Sequence, residues 1–525
     1  MLPRQLIARC AANYPDKTAY YCGEAKRTWR QMHERSDRLA AALQAIGVRK
    51  GDVVAILGRE SFEIYEHFFA CMKIGAIRLG INRRYPAVEM MHVIRDSAAS
   101  VLLVQASMIE ALRSIRAELL AMGVTLVGYD GEHDLPFDYE RALSRAGTPQ
   151  LPFIDAQDTL FYSYTSGTTG VPKGVVLTHG SVMNTIFQSL VARGLGPDEI
   201  WYMPGQSSWV TAIMLMFGLG NGASQVLPDG EFEIRQFLSD IERLRVTSAS
   251  LLPTMMQRAI QEQRARNYDL SSLRIITYGS APASSKLIRE ANEVFGCEFL
   301  QGYGMTEAGG WVTHLTAEDH RRALNDQPEL LGSVGRVGVT YELSIRGEDG
   351  EPLPPNTAGE IWVSGKSLMK GYLNRAEETA EAMRGDWLCT NDIGRVDERG
   401  YLYLLDRKKF MIISGAVNVF PAGVEAVLMD HACVCDAAVV GMPHPEWGEA
   451  VGARVQTNGD AVQPNARELI SFCQQRLSKP ECPKLIVFDE IPKNAMGKTD
   501  KIHTKEKLLL NPDVRAWALK PPTNA

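Results

Sequence analysis

Residues 162–181 read YSYTSGTTGVPKGVVLTHGS. In this stretch Thr165, Ser166, Gly167, Thr168, Thr169 and Gly170 precede Lys173, and a strand-like Val175-Val176-Leu177 follows. A loop of this composition exposes backbone N–H groups and hydroxyl donors able to surround phosphate oxygens, and a lysine close by adds positive charge. It is not the GxxxxGK[ST] loop of ordinary NTPases, because neither Gly167 nor Gly170 has a Gly-Lys pair at the required offset. Taken alone, a Gly/Ser/Thr run is also an ordinary surface turn.

Outward from this loop, helical and strand-like segments alternate. Residues 28–46 place Leu39, Leu43 and Ile46 on one helical face, with Gly47 as a stop. Short apolar runs at 53–57, 101–105, 124–128, 247–252 and 274–278 each lie beside an amphipathic segment. That is the pattern of βαβ units around a largely parallel sheet, so the fold class is α/β. Between 341 and 364 the texture changes to the short alternating runs YELSIRG and GEIWVSG, split by Asp349-Gly350 and by Pro352, Pro354 and Pro355. An antiparallel β subdomain is expected there. The charged run Asp406-Arg407-Lys408-Lys409 then marks a junction. The expected division is an N-terminal body at 1–405, a hinge at 406–410 and a small mobile α+β domain at 411–525, ending in a loose polar tail.

Composition narrows the partners. The 525 residues carry 56 Lys+Arg against 62 Asp+Glu, a formal charge of −6, and 45% of positions are hydrophobic. Such a chain builds several domains and lacks the basic excess of a nucleic-acid or anionic-membrane binder, so small molecules are the expected partners. The longest strongly apolar stretch, 209–220, falls short of the ~20 residues that span a bilayer. Arg4 and Arg9 interrupt what would be the apolar core of a secretory signal. Nine cysteines without a CxxC pair read as reduced thiols, and a cytoplasmic location is expected. The run Gly218-Leu-Gly220-Asn-Gly222-Ala223 formally fits G-x-G-x-x-A, but Pro228, Asp229 and Gly230 leave no room for the helix of a dinucleotide site. No HExxH spacing supports a catalytic zinc, His179 is given no role, and Cys433-Val-Cys435 reads as chance.

The full string TSGTTGVPKG resembles the phosphate loop of the adenylate-forming superfamily, which includes acyl-CoA synthetases, peptide-synthetase adenylation domains and luciferases. Other motifs agree in order. YGSAP (Tyr278, Gly279, Ser280, Ala281, Pro282) and QGYGMTE (Gln301, Gly302, Tyr303, Gly304, Met305, Thr306, Glu307) resemble the family's adenine-binding segments. Asp392 in CTNDIGRVD matches its ribose-binding acid, LLDRKKFMIISG its hinge, and PKNAMGKTDK puts Lys498 where the family keeps a catalytic lysine. The likeness covers about residues 10–510 and is closest in texture to fatty-acyl and related CoA ligases.

The resemblance implies ATP, Mg²⁺ and coenzyme A. A carboxylate would attack the α-phosphate of ATP, with the loop and Lys173 around the β- and γ-phosphates. Glu307 would be the Mg²⁺ ligand, hard oxygen suiting that ion. Thr306, Glu307 and Lys498 would be the catalytic residues, and Arg407 would contact the ribose with Asp392. The C-terminal domain would then rotate about Lys409, withdrawing Lys498 and bringing residues 414–421 to line a channel for the pantetheine thiol. A homodimer is compatible with the likeness.

Three departures stand out. The segment MPGQSSWV at 203–210 has neither the histidine of most such CoA ligases nor the aspartate of amino-acid-activating relatives, and Ser207 stands at the histidine position. Asn391 replaces the usual glycine of the ribose motif, and Ala416, Val417 and Gly423 alter the segment after the hinge. Trp209, Val210, Ala212, Ile213 and Met214, with Trp311, offer apolar side chains and no evident basic partner. Alongside Ser207, Tyr278 and Gly304 they suit a hydrophobic monocarboxylic acid, fatty, aryl or alicyclic, although any of them can equally be core. Two rival readings stay open. One sends the acyl group to a carrier-protein phosphopantetheine. The other is a catalytically silent nucleotide-binding regulator, against which Lys173, Glu307, Asp392, Arg407 and Lys498 weigh.

Overall fold

The helical pattern at 28–46 folds as the helix Trp29–Ala45, and Thr28 starts it. The Thr28 hydroxyl accepts from Gln31 N–H at 3.2 Å while the Gln31 side chain accepts from Thr28 N–H at 2.9 Å, satisfying two end donors reciprocally. Its apolar face, Trp29, Met32, Leu39 and Leu43, is buried. The computed structural model describes residues 1–166, 171–194, 196–205, 207–208, 213, 218–281, 283–415, 417–457, 464–493 and 499–512.

Among these residues the strands form four sheets. The first has the order Gly371–Tyr372, Pro172–Thr178, Thr159–Ser166, Ile77–Gly80, Val53–Leu57, Val101–Gln105, Thr125–Tyr129 and Phe137–Asp138. It is parallel through its centre and antiparallel at the edge that carries the 162–181 stretch. Val53–Leu57 and Val101–Gln105 are buried at every position, which is why both read as unbroken apolar runs. The second sheet carries Ile200–Tyr202, Ser248–Leu251, Ile275–Gly279 and Glu298–Met305 in parallel, with antiparallel Gly310–Leu315 beside the last. The expected β subdomain is present as the antiparallel strands Tyr341–Arg346, Gly359–Gly365, Met383–Arg384, Trp387–Val396 and Leu402–Arg407.

A large N-terminal body thus ends near Arg407, and a smaller C-terminal domain holds the fourth sheet, with its own core around Val424, Leu428, Val439, Val451 and Leu469. The glycine-rich decoy is the short helix Gly218–Asn221, leading into the strand Ser224–Leu227 rather than out of one, so no dinucleotide turn exists there. Among the described residues no helix is long and apolar enough to cross a membrane. The two parallel sheets deliver their loops at the carboxyl ends of the strands, where open α/β sheets hold ligands.

Candidate functional site

The phosphate-loop candidate is the tip of a hairpin. Thr165 and Ser166 close the strand Thr159–Ser166 and Lys173 lies inside Pro172–Thr178, with Thr165 opposite Lys173 and Ser166 opposite Pro172. The helix His179–Arg193 begins only after the whole return strand, so this is not the strand-to-helix turn of an NTPase loop. His179, its first residue, is buried with neither ring nitrogen bonded among the described residues, and burial holds its pKa down at about 4. Gly167, Thr168, Thr169, Gly170, Pro282, Trp209, Val210, Ala212, Met214, Ala416 and Lys498 lie outside the described residues.

Lys173 is ion-paired with Glu378 of the helix Ala376–Ala382, and its ammonium stands 5.8 Å from the ring centroid of Tyr372. Tyr372 belongs to a short edge strand paired with Val175 and Val176, and its hydroxyl donates to Glu307 Oε1 at 2.9 Å. Burial, reinforced by the Glu307 carboxylate, raises the phenol pKa far above its usual value, so it stays a neutral donor. One aromatic side chain therefore joins the two residues expected at the phosphates and the metal. Tyr372 and Glu378 were invisible in the motif reading, because they reach the hairpin through edge pairing and not through spacing. Thr306 and Glu307 open the single-turn 3₁₀ helix Thr306–Ala308 directly after the strand Glu298–Met305.

The residues expected at the nucleoside come together from three strands. Tyr303 OH donates to Asp392 Oδ2 at 2.7 Å, and Arg407 Nε lies 3.2 Å from Asp392 Oδ1. Asp392 and Arg407 face each other across an antiparallel ladder, and Thr390 Oγ1 accepts from Asp392 N–H at 3.1 Å. Asn391 explains its own departure: its φ of +59° is left-handed, a conformation glycine adopts freely and asparagine tolerates best among other residues. Ser280 likewise turns the chain out of Ile275–Gly279 at φ +63°. It puts Ser280 and Ala281, both exposed, at the sheet's carboxyl edge.

The acid-pocket expectation needs two corrections. Tyr278 is 2% exposed and packs into the core against Phe299 and His320, where its hydroxyl meets His320 Nε2 at 2.9 Å. Gln301 Oε1 is 3.3 Å from the same hydroxyl. Tyr278 therefore lines no pocket, because its place in the strand turns the side chain into the core. The second concerns charge. Arg193 is buried with its guanidinium carbon 4.8 Å from the ring centroids of both Trp201 and Trp311, and Nη1 donates to Thr277 Oγ1 at 3.3 Å. Burial lowers its pKa to about 9, which leaves it cationic at neutral pH. A basic group that the segment at 209–214 did not disclose thus stands behind Trp311. Gly302 is required here: a Cβ on it would lie 2.0 Å from the Trp311 indole. At Gly304 it would lie 1.9 Å from the Gly310 carbonyl oxygen. Ser207 is buried, and its N–H donates to Glu60 Oε1 at 2.7 Å.

At the junction, Lys409 is exposed in the turn Lys408–Phe410, and its ammonium sits 4.7 Å from the Phe410 ring centroid. Just before it, Asp406 Oδ2 accepts from Ala422 N–H at 2.8 Å and pairs with Lys501 at 3.2 Å. Lys501 also pairs with Glu425 at 3.1 Å, and Glu425 accepts from Val439 N–H at 2.7 Å. Lys493 and Thr499 form an isolated bridge at the two ends of the segment that carries Lys498. Among the described residues no three His, Cys, Asp or Glu side chains cluster as a metal cage. Glu307 alone still fits Mg²⁺, an ion usually held by one or two carboxylates together with substrate phosphates and water.

The AMP-binding enzyme model matches residues 7–373, and the AMP-binding enzyme C-terminal domain model matches 423–498. A feruloyl-CoA synthase of Amycolatopsis sp is 36% identical over 493 residues, covering 93% of this chain and 96% of that one. A fatty acid–[acyl-carrier-protein] ligase of Streptomyces coeruleorubidus is 32% identical over 508 residues, covering 93% of each. Among solved structures, an anthranilate CoA ligase in complex with anthranoyl-AMP superposes with a TM-score of 0.88 at 26% identity, covering 97% of each chain.

Proposed function

The chain belongs to the AMP-binding enzyme family and is an AMP-forming acid–thiol ligase working through an acyl-adenylate; we propose that its acid is a monocarboxylate with a largely apolar, aryl or acyl body. The observation that supports this reading is a pair of braces, Tyr303–Asp392–Arg407 and Lys173–Tyr372–Glu307. The first brace presents a buried carboxylate to ribose hydroxyls, with Arg407 holding its second oxygen. The second brings a cation and a carboxylate to one ring, at the base of the hairpin whose tip would wrap the β- and γ-phosphates. Glu378 holds Lys173 until phosphate oxygens compete for it. Mg²⁺, when bound at Glu307, would neutralise the charge of the departing pyrophosphate.

In the first step a carboxylate oxygen of the acid bonds to the α-phosphorus, and the bond to pyrophosphate breaks. Lys498 is the group we assign to bring the two anions together, which a fixed cation does by offsetting their repulsion. In the second step a thiolate attacks the acyl carbon and the carbon–oxygen bond to AMP breaks. The smaller domain, turning about Lys409, would carry Lys498 away and admit the thiol. Trp311, half-buried against Gly302, favours a flat or narrow apolar body, in keeping with the aryl acids named for two relatives. The carrier-protein reading rests on the acceptor named for another.

The test is acid-dependent pyrophosphate release with ATP and Mg²⁺ over a panel of aryl and acyl acids, followed by CoA or a phosphopantetheinyl carrier protein side by side. Release with aryl acids and thioester formation with CoA are expected. Release restricted to amino acids would overturn the acid class, and product only on the carrier would replace CoA as the acceptor.

A further inference from the structure

Arg78 sits in the strand Ile77–Gly80 with no exposure to solvent. Its guanidinium carbon is 4.9 Å from the ring centroid of Phe68 and 5.1 Å from that of Phe161, its neighbour in the parallel ladder. None of Nε, Nη1 and Nη2 has a hydrogen-bond partner among the described residues. Aromatic faces repay only a part of the hydration a guanidinium loses, and among the described residues its five donors find no acceptor. Burial lowers its pKa to about 10, so the group stays charged at neutral pH.

The nearby carboxylate is already engaged. Glu60 Oε1 accepts from Ser207 N–H at 2.7 Å, and Oε2 accepts from Tyr65 OH at 2.8 Å. Among the described residues no ion pair joins Glu60 to Arg78. The location of the fork is marked by Gly80, where a Cβ would lie 2.7 Å from both Arg78 Nη1 and Ser208 Cα. The guanidinium therefore abuts the Ser207–Ser208 turn, whose Ser208 Oγ is also buried without a partner. That turn opens the segment read as the acid pocket, at the carboxyl ends of strands from both parallel sheets.

Resting on the acid-activating reading above, we propose that Arg78 is a specificity-determining residue that donates through its fork to a neutral oxygen, a ketone, hydroxyl or ether, on the tail of the acid. A planar donor fork with no acceptor among the described residues selects an oxygen-bearing group. Glu60 already places one negative charge beside it, so a second carboxylate would bury excess charge. The sequence pointed to an apolar tail because the arginine comes from a different sheet than the pocket segment.

Acids of equal length ending in methyl, ketone, hydroxyl or carboxylate decide this, compared by pyrophosphate release with the full chain, ATP and Mg²⁺. The neutral oxygenated tails are expected to exceed the methyl one about 10-fold in kcat/KM. Arg78→Met should erase that gap while leaving the KM for ATP unchanged, and Arg78→Lys, which keeps charge without the fork, should fall between. Equal rates for all tails in the native chain, a preferred carboxylate tail, or a uniform loss in Arg78→Met would overturn the proposal. If Arg78→Met does not fold, the tail preference of the native chain decides alone. Absence of release with every acid would instead remove the adenylation reading beneath it, and this inference with it.

Discussion

The pair of braces proposed to hold the nucleotide and the junction with the smaller domain are both built on charge, and they use it differently. In the first region a phenol steadies each of two carboxylates, Tyr303 on Asp392 beside its ion pair with Arg407, and Tyr372 on Glu307. A neutral donor fixes the position of an anion and leaves its charge in place for a ligand or cation to use. At the junction one lysine, Lys501, serves two carboxylates, Asp406 and Glu425, and all three are largely buried. There the charges are spent on one another, so the cluster holds structure together and offers nothing to a substrate. Asp406 precedes Lys409 yet is bonded to Ala422 and Lys501 beyond it, so rotation about Lys409 would have to carry or break those contacts.

The largest expected effect breaks the junction. Lys501→Met leaves two buried carboxylates without their cation, and a loss of about 3–5 kcal/mol is expected. Calorimetry should show the smaller domain melting separately and earlier. A single unshifted transition would mean that the cluster carries little.

Lys498→Ala asks whether the smaller domain acts in only one half-reaction. Adenylate formation should fall about 10²–10³-fold, as for loss of one transition-state donor, while thioester formation from preformed acyl-adenylate changes little. Equal loss in both would end the assignment.

The body alone should produce an acid limb in stability. His179, His314 and His320 are buried, and burial lowers each pKa to about 4 from the ordinary 6.5. The unfolded chain takes up these protons first as pH falls. Their contribution is complete above pH 6.5 and is lost on the way down to pH 4, on the order of 3 kcal/mol per histidine. Urea titrations across that window check it, and a flat profile would contradict the burial argument.

Asp392→Asn should raise the KM for ATP roughly 10-fold or more, by about 1.5–3 kcal/mol for a charged hydrogen bond, with the KM for the acid little changed. Tyr372→Phe is the gentlest change. It leaves Glu307 charged but unsteadied, and about 0.5–1.5 kcal/mol is expected, read as a higher Mg²⁺ requirement rather than a lower limiting rate.

Local pattern was enough for the strands at 53–57 and 101–105, the helix begun at Thr28 and the antiparallel texture of 341–364, because burial on one or both faces imprints a period on the chain. Composition alone left the glycine- and hydroxyl-rich stretch at 162–181 open between a surface turn and a phosphate loop, and it was the full string with the order of its companion motifs that carried the family. Contacts set by edge pairing left no such trace. Tyr372 and Glu378 reach Lys173 only because a two-residue strand adds to the hairpin's edge, and Lys501 reaches Asp406 only because the last helix folds back on the junction. At Tyr278 spacing names the strand, but alternation decides that its side chain turns into the core. By itself, then, the sequence determined the fold class, through its periodicity, and the family with its ligase chemistry, through motifs that resemble it. Tertiary structure alone decided which donors steady the carboxylates, why Asn391 suffices where glycine is usual, and that Arg78 and Arg193 are buried against aromatic rings. Those outcomes depend on backbone angles and on which distant strands become neighbours, and neither is written in local spacing.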